Sequence, residues 1–369
     1  MSDGCTSTGC RYTVHVLSMK KFTSLGRTAL KSNFTELDKP YKLNFAITYW
    51  CQSRCVTCNI WQFKPKGELS LDEIKEFARK NNYFKWVELT GGEPFLRSDI
   101  VEIARAFAEN SRDLYVLTMP TNSLCGRQMV LDKLTKILEL GIPKVSITVS
   151  LDGYRELHDK IRGIPGNYDK AISMFKDLME LKKRYKNLYF VFGYTMSSFN
   201  QGQLMKTIEE VRKDILEVTY NNFHLNLGQV SSNYYGNSEI QVKGTPEIIS
   251  NEIAEFIKKR NFELGIIPQI EGVFLKKLLY YAKTGDMPMK SRSLEASLFM
   301  DSYGFVYPSI MWDKKIGSIR EHEYDLTNIW SSELAKQTRL EIKQGKEPKQ
   351  WTACEAYQSI TGNILSFIH

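Results

Sequence analysis

"LNFAITYWCQSRCVTCNIW", residues 43–61, runs a short apolar, β-branched segment directly into three cysteines spaced C-x3-C-x2-C. "LNFAIT" 43–48 reads as a buried strand. Cys51, Cys55 and Cys58 then follow its carboxyl end, close enough for one loop to wrap three thiolates around a compact metal centre. The chain of 369 residues has seven cysteines. Their odd number and this clustering do not fit a disulfide framework and point to metal or redox chemistry.

Five further segments read as buried strands: "WVELT" 86–90, "LYVLTM" 114–119, "KVSITVSL" 144–151, "LYFVFGYT" 188–195 and "NFHLNLG" 222–228. Segments of helical period separate them. "SLDEIKEFARKN" is opened by Ser70 as N-cap and "DIVEIARAFAEN" by Asp99; others run over about 129–140, 168–185 and 201–215. Six alternations of strand and helix predict right-handed βαβ units and a parallel sheet covered on both faces. Six units are too few for an eight-fold barrel. The expected fold is α/β, a partial (β/α)6 barrel resembling an open TIM barrel.

Beyond about residue 285 the pattern changes. "SLFMDSYGFVYPSIMW" 297–312 predicts a β-hairpin turning at Tyr303-Gly304, and "DLTNIWSSELAKQTRLEIKQG" 325–345 a helix starting near Asp325. The expected organisation is a tail and basic helix over 1–40, a barrel over 41–285 and a small α+β appendage over 286–369. The boundary falls within "KTGDMPMKSRS" 283–293.

Ligands of parallel α/β barrels bind at the carboxyl ends of the strands. Each predicted end carries small, polar or metal-binding residues. The cysteines follow the first, "TGGEP" 90–94 the second, "PTNS" 120–123 the third and "SLDG" 150–153 the fourth. A zinc site would want four ligands, usually from two separated pairs, and no second pair is present. A [4Fe–4S] cluster held by three cysteines leaves one iron open to an exchangeable ligand. The three-thiol pattern favours iron–sulfur, with structural zinc as the weaker alternative.

C-x3-C-x2-C after the first strand with "GGEP" after the second resembles the radical S-adenosylmethionine (SAM) superfamily, over about residues 43–230. The resemblance implies one [4Fe–4S] cluster on Cys51, Cys55 and Cys58, with SAM on the open iron. It also implies reductive cleavage of SAM to a 5′-deoxyadenosyl radical and abstraction of a hydrogen atom from substrate. An external one-electron donor of flavodoxin or ferredoxin type is implied as partner. Carried over by position, Gly91, Gly92 and Glu93 receive the SAM amino group, Ser150 and Asp152 meet its ribose, and Arg162 in "HDKIRG" pairs with its carboxylate. Asn122 is a further SAM candidate. Thr57 stands where the family usually has an aromatic residue.

The tail resembles the SPASM or twitch appendage through "GFVYPS", "IGSI" 316–319 and "LTNIW" 326–330. That appendage normally carries an auxiliary cluster. Here Ser309, Glu347 and Gln350 occupy cysteine positions and only Cys354 remains, so no auxiliary cluster is expected. Cys125, after the third strand, is a weak candidate for hydrogen-atom donor; its alternative is a packed thiol. Cys5 and Cys10 lie in a polar, disordered-looking tail and receive no role.

The substrate is not legible. A peptide is one option. The other is a lipid or lipid-linked sugar, because in "VLSMKKFTSLGRTALKSNF" 16–34 Met19, Phe22, Leu25, Ala29, Leu30 and Phe34 share one half of a helix and Lys20, Lys21, Arg27 and Lys31 the other. Such a helix either lies on an anionic membrane or packs on its own domain. No run of about 18 apolar residues predicts a span, and the first residues lack a signal-peptide order. The expected location is the cytoplasm, with the membrane surface open to that helix. The net charge of +8 is scattered along the chain and predicts no nucleic-acid partner. A catalytically inactive scaffold binding SAM and an iron–sulfur cluster is the alternative to an enzyme.

Overall fold

The structure, a computed structural model, describes residues 7–261 and 263–367. Helix α1 (Ser7–Lys31) precedes six repeats of strand and crossover. The strands are β1 (Lys42–Thr48), β2 (Trp86–Gly91), β3 (Val116–Thr121), β4 (Lys144–Ser150), β5 (Leu188–Met196) and β6 (Phe223–Leu227). Between them lie α2 (Leu71–Lys80), α3 (Ile100–Asn110), α4 (Arg127–Leu138), α5 (Arg155–Arg162), α6 (Asn167–Arg184) and α7 (Leu204–Asp214). After β6 come α8 (Pro246–Lys259), α9 (Ile266–Thr284), strands β7 (Ser297–Met300), β8 (Phe305–Tyr307) and β9 (Gly317–Ser318), then α10 (Leu326–Ser331), α11 (Glu333–Lys343) and α12 (Ala353–Thr361).

Neighbouring strands from β1 to β6 pair in parallel, in sequence order, and β6 does not return to β1. The barrel is therefore partial and open, as six units predict. The third strand starts at Val116 instead of 114, where Leu114 is taken into a turn with Ser111. The tail hairpin turns at Tyr303-Gly304, with Gly304 at φ +87°. Its first strand, β7, pairs in parallel with β1, so the hairpin extends the barrel's own sheet.

Helices α2, α3, α6 and α7 bury Phe77, Phe107, Phe175 and Ile208 in the layer outside the strands. Each such side chain contributes about 1.5–3 kcal/mol by leaving water. Ser70 starts α2 with a complete capping box to Glu73. Asp99 does not cap α3; its carboxylate is held by Arg97 through two charge-assisted bonds of 2.7 and 2.8 Å. The single helix expected from Asp325 is two, because Ser332 is extended (φ −61°, ψ 155°) and caps α11 through Ala335 N–H. Helices α5, α8 and α9 were not evident from periodicity.

Helices α9 and α12 fill the gap between β1 and β6. From β1, Lys42 Nζ donates to Cys354 O (2.5 Å) and Asn44 Nδ2 to Glu355 Oε1 (3.0 Å). From β6, His224 Nδ1 lies 3.2 Å from Glu271 Oε1 of α9, whose Oε2 accepts from Tyr357 OH of α12 at 2.5 Å.

Helix α1 begins at Ser7, so Cys10 is helical, not in a disordered tail; Cys5 lies outside the described residues. The helix lies across the amino-terminal ends of the strands. The Phe22 ring is 5.4 Å from that of Tyr115, and Ser24 bonds Asp113 and Lys85. Ala29 packs with Tyr41 and Ala296, beside Leu25. Half of the predicted apolar face is thus used internally, while Met19, Leu30 and Phe34 stay exposed. Among the described residues no helix is long and apolar enough to cross a membrane.

Candidate functional site

The loop after β1 is fixed by backbone contacts on three sides. Thr48 O and Trp50 O accept from Gly92 N (2.8 Å) and Glu93 N (2.9 Å). A Cβ on Gly92 would stand 2.2 Å from Trp50 O, and one on Gly91, at φ +136°, 2.0 Å from Thr48 O. Only glycine permits this approach. On the second side, Arg54 N and Val56 N donate to the last carbonyls of α5, Arg162 O and Ile161 O, both at 2.9 Å. That helix ends at Gly163 in the left-handed region (φ +67°), and a Cβ there would lie 2.3 Å from Arg54 O. On the third, the loop after β6 grips Asn59 through Tyr235 O and Gly236 O, while Asn237 Nδ2 donates to Thr57 O.

Polar groups reach the thiols. Asn122 Nδ2 is 3.6 Å from Cys51 Sγ, Arg162 is 3.7 Å from Cys55 Sγ, and Ile60 N is 3.5 Å from Cys58 Sγ. Burial pushes the Cys51 and Cys58 thiols up to about 12. They become thiolates when a metal supplies the compensating charge. Among the described residues no three His, Cys, Asp or Glu side chains stand close enough to share one metal ion. A cubane asks for no such convergence, since each thiolate binds a different iron. The donor set, with Arg162 beside it, fits a three-cysteine cluster.

The other expected residues surround the same space. Arg162 forms a 2.7 Å ion pair with Asp152 Oδ2, both well buried. Burial lowers its proton affinity, yet Asp152 and the Cys55 thiol hold Arg162 above the ordinary arginine value. Its Nε has no hydrogen-bond partner. Asp152 Oδ1 accepts from Thr195 N (2.9 Å), fixing β4 to β5. Glu93 is buried and raised to about 7 by that burial, although Asn122 N (2.6 Å) and Phe95 N (3.2 Å) donate to its two oxygens. Ser150, Gly91, Gly92, Glu93, Asn122, Asp152 and Arg162 line one cavity with the three cysteines. Cys125 is not among its lining residues; it is buried and accepts from Gln52 Nε2 (3.2 Å).

That cavity, about 1290 Å³, continues from the cysteines down the inside of the barrel to α1. Inward positions alternate along each strand. Thr118, Ser146, Thr148, Ser150 and Gly193 are small, which leaves the centre open instead of packed. Sequence reasoning missed what stands deeper: Glu88, His224 with Glu271 and Tyr357, and Lys144 over the Tyr189 ring at 4.4 Å. Even-numbered polar residues in otherwise apolar β2, β4 and β6 were the available signal. At the tail, Gln350 Nε2 donates to Ser309 Oγ (2.9 Å), and Cys354 Sγ sits 3.4 Å from Glu88 Oε1.

Residues 45–211 match the family model described as the Radical SAM superfamily. The AdoMet-dependent heme synthase of Methanosarcina barkeri is 30% identical over 191 residues, covering 50% of this chain and 51% of that protein. The pre-heme d1 synthase of Dinoroseobacter shibae is 21% identical over 335 residues, covering 86% and 79%. The chain thus spans about half the length of the first of these relatives. Among solved structures, Streptococcus suis SuiB bound to S-adenosylmethionine superposes with a TM-score of 0.59 at 17% identity, covering 82% of this chain and 68% of that one. That likeness shows the fold.

Proposed function

We propose, from the premise that residues 45–211 are a radical SAM domain, that the chain is an enzyme binding one [4Fe–4S] cluster and SAM. When bound, the cluster supplies the electron that splits SAM into methionine and a 5′-deoxyadenosyl radical, which takes a hydrogen atom from substrate. The observation that carries this reading is the convergence of Cys51, Cys55, Cys58, the Gly91-Gly92-Glu93 turn and Arg162 on one cavity.

The chain's own residues bind and orient. Cys51, Cys55 and Cys58 hold the cluster. The carbonyls of the Gly91–Gly92 turn would take the SAM ammonium, beside the Glu93 carboxyl. Arg162 would offer a fork to the SAM carboxylate; Ser150 and Asp152 are the candidates for its ribose, and Asn122 is a further SAM candidate. Tyr234 OH, bonded to Thr90 Oγ1 (3.0 Å) and Gly91 O (3.1 Å), braces the turn from below.

The tail is read as a SPASM or twitch-like fold without its cluster. In support, Ser309 and Gln350, at two expected cysteine positions, meet in a hydrogen bond. Substrate is a peptide, or a lipid or lipid-linked sugar; a flavodoxin or ferredoxin supplies the electron. The protein is placed in the cytoplasm, at the membrane surface if α1 contacts lipid.

Anaerobic reconstitution tests the cofactor set. About four irons per chain and a reduced-cluster electron paramagnetic resonance signal that changes shape on adding SAM are expected. About eight irons would refute the loss of the auxiliary cluster, and a signal indifferent to SAM would refute the SAM site.

A further inference from the structure

The cavity has a second mouth. At its upper end are the cysteines and the SAM turn; at its lower end it is lined by Trp86, Tyr115 and Tyr189, then by Leu30 of α1 and Ile266 and Ile267 of α9. Strands of this length separate the two ends by about 20 Å. The volume of about 1290 Å³ exceeds the roughly 300–1,000 Å³ of a single small-molecule site, so SAM at the top leaves most of the shaft for another molecule.

The wall changes character along the shaft. Its middle presents hydrogen-bonding groups: Glu88, Thr118, Ser146, Thr148, His224 and Asn226. Toward the lower mouth aromatic and aliphatic side chains are interspersed with the bases Arg27, Lys144 and Arg260 and with Glu263. Outside that mouth the apolar surface continues, with Ile266 58%, Leu264 90% and Leu30 46% exposed. Exposed Lys20, Arg27 and Lys31 flank it on α1. A rim of exposed aliphatic side chains mixed with bases, opening into a polar shaft, matches the profile of an anionic bilayer surface with a hydroxylated headgroup drawn inward.

We infer that the substrate of the proposed reaction is a membrane lipid with a hydroxylated headgroup. It enters head-first through the mouth between α1 and α9, its hydrocarbon chain staying at the rim and in the bilayer. Hydroxyls bond to Glu88, Asn226 and the Ser/Thr rows, which brings head carbons up toward SAM. This rests on the radical SAM reading for what happens at the top of the shaft, but the binding step does not need SAM to be cleaved.

The test uses the reconstituted enzyme with SAM and vesicles of phosphatidylglycerol, which is anionic and carries a glycerol head. A small fraction of the lipid bears a photoactivatable diazirine on the headgroup. The expected result is flotation with the vesicles and crosslinks in peptides containing Thr118, Ser146 or Asn226. In the surface variant Ile266→Asp/Ile267→Asp, crosslinking should fall at least fivefold. Crosslinks confined to the exterior, or unchanged in that variant, would overturn the inference. So would loss of the crosslinks on adding an excess of short peptides but not of unlabelled lipid, which would assign the shaft to a polypeptide. Formation of 5′-deoxyadenosine on addition of dithionite to the same mixture, without shaft labelling, would overturn the lipid assignment alone and leave the radical SAM reading standing.

Discussion

At the scale of single residues, Gly163 shows how closely the cysteine loop is held. Its left-handed backbone and the 2.3 Å approach to Arg54 O forbid a side chain. Gly163→Ala should lose on the order of 1–3 kcal/mol, and because Arg54 and Val56 hang on the same helix end, iron retained after reconstitution should drop with it. Denaturant unfolding and iron analysis read the two effects; a variant with wild-type iron content would separate the loop from the helix end. Arg162→Lys keeps a charge beside Asp152 but loses the fork. SAM affinity by calorimetry should weaken about tenfold, about 1.4 kcal/mol, with little change in melting. An unchanged affinity would remove Arg162 from the carboxylate role. The cysteines, the glycine turn and Arg162 could be singled out by spacing or residue type, and the structure brings them to one cavity. Glu271 and Tyr357 could not be singled out, since they meet His224 only through tertiary packing from separate helices.

At the scale of elements, the strands were legible from β-branched runs and the first helices from their period, with the expected cap formed at Ser70 but not at Asp99. Helix α5 was hidden in a charged stretch, and α8–α9 follow a long irregular connection. The break at Ser332 was missed because "NIWSSELAKQ" keeps a helical pattern across the cap. Helix α12 carries a titration that can be checked. Burial raises Glu355 and Glu347, just before the helix, to about 7, above the ordinary glutamate value. Such groups bind more protons folded than unfolded between about pH 4.5 and 7, so stability falls as pH rises through that window. Unfolding free energy should be lower at pH 8 than at pH 5 by on the order of 1–3 kcal/mol. Glu271 is held down to about 2, despite burial, by His224 and Arg260. Glu271 loses its contribution only as pH falls below about 4.5, outside this window. Glu347→Gln, whose wild-type Oε2 has no partner, should flatten the pH 5–8 fall. A fall as steep as wild type would show that Glu347 is already ionised at pH 5.

At the scale of the whole molecule, the partial barrel explains why the centre is accessible. Six strands leave a gap that α9 and α12 close with polar contacts, and small inward side chains keep the shaft open above α1. Sequence predicted the open barrel but not the shaft, because strand pairing and burial must both be known before inward positions can be told from outward ones. Removing a cluster ligand should act globally on function and only locally on fold: Cys58→Ala should keep its helical circular dichroism yet hold little iron.

The cavity is proposed to cleave SAM reductively. The most direct measurement is anaerobic incubation of the reconstituted chain with SAM and dithionite, followed by chromatography of the products. 5′-Deoxyadenosine and methionine should form in equal amounts from the wild type and vanish in Cys58→Ala. A fully reconstituted, reduced protein that binds SAM and forms no 5′-deoxyadenosine would contradict the claim and leave a binding scaffold in its place.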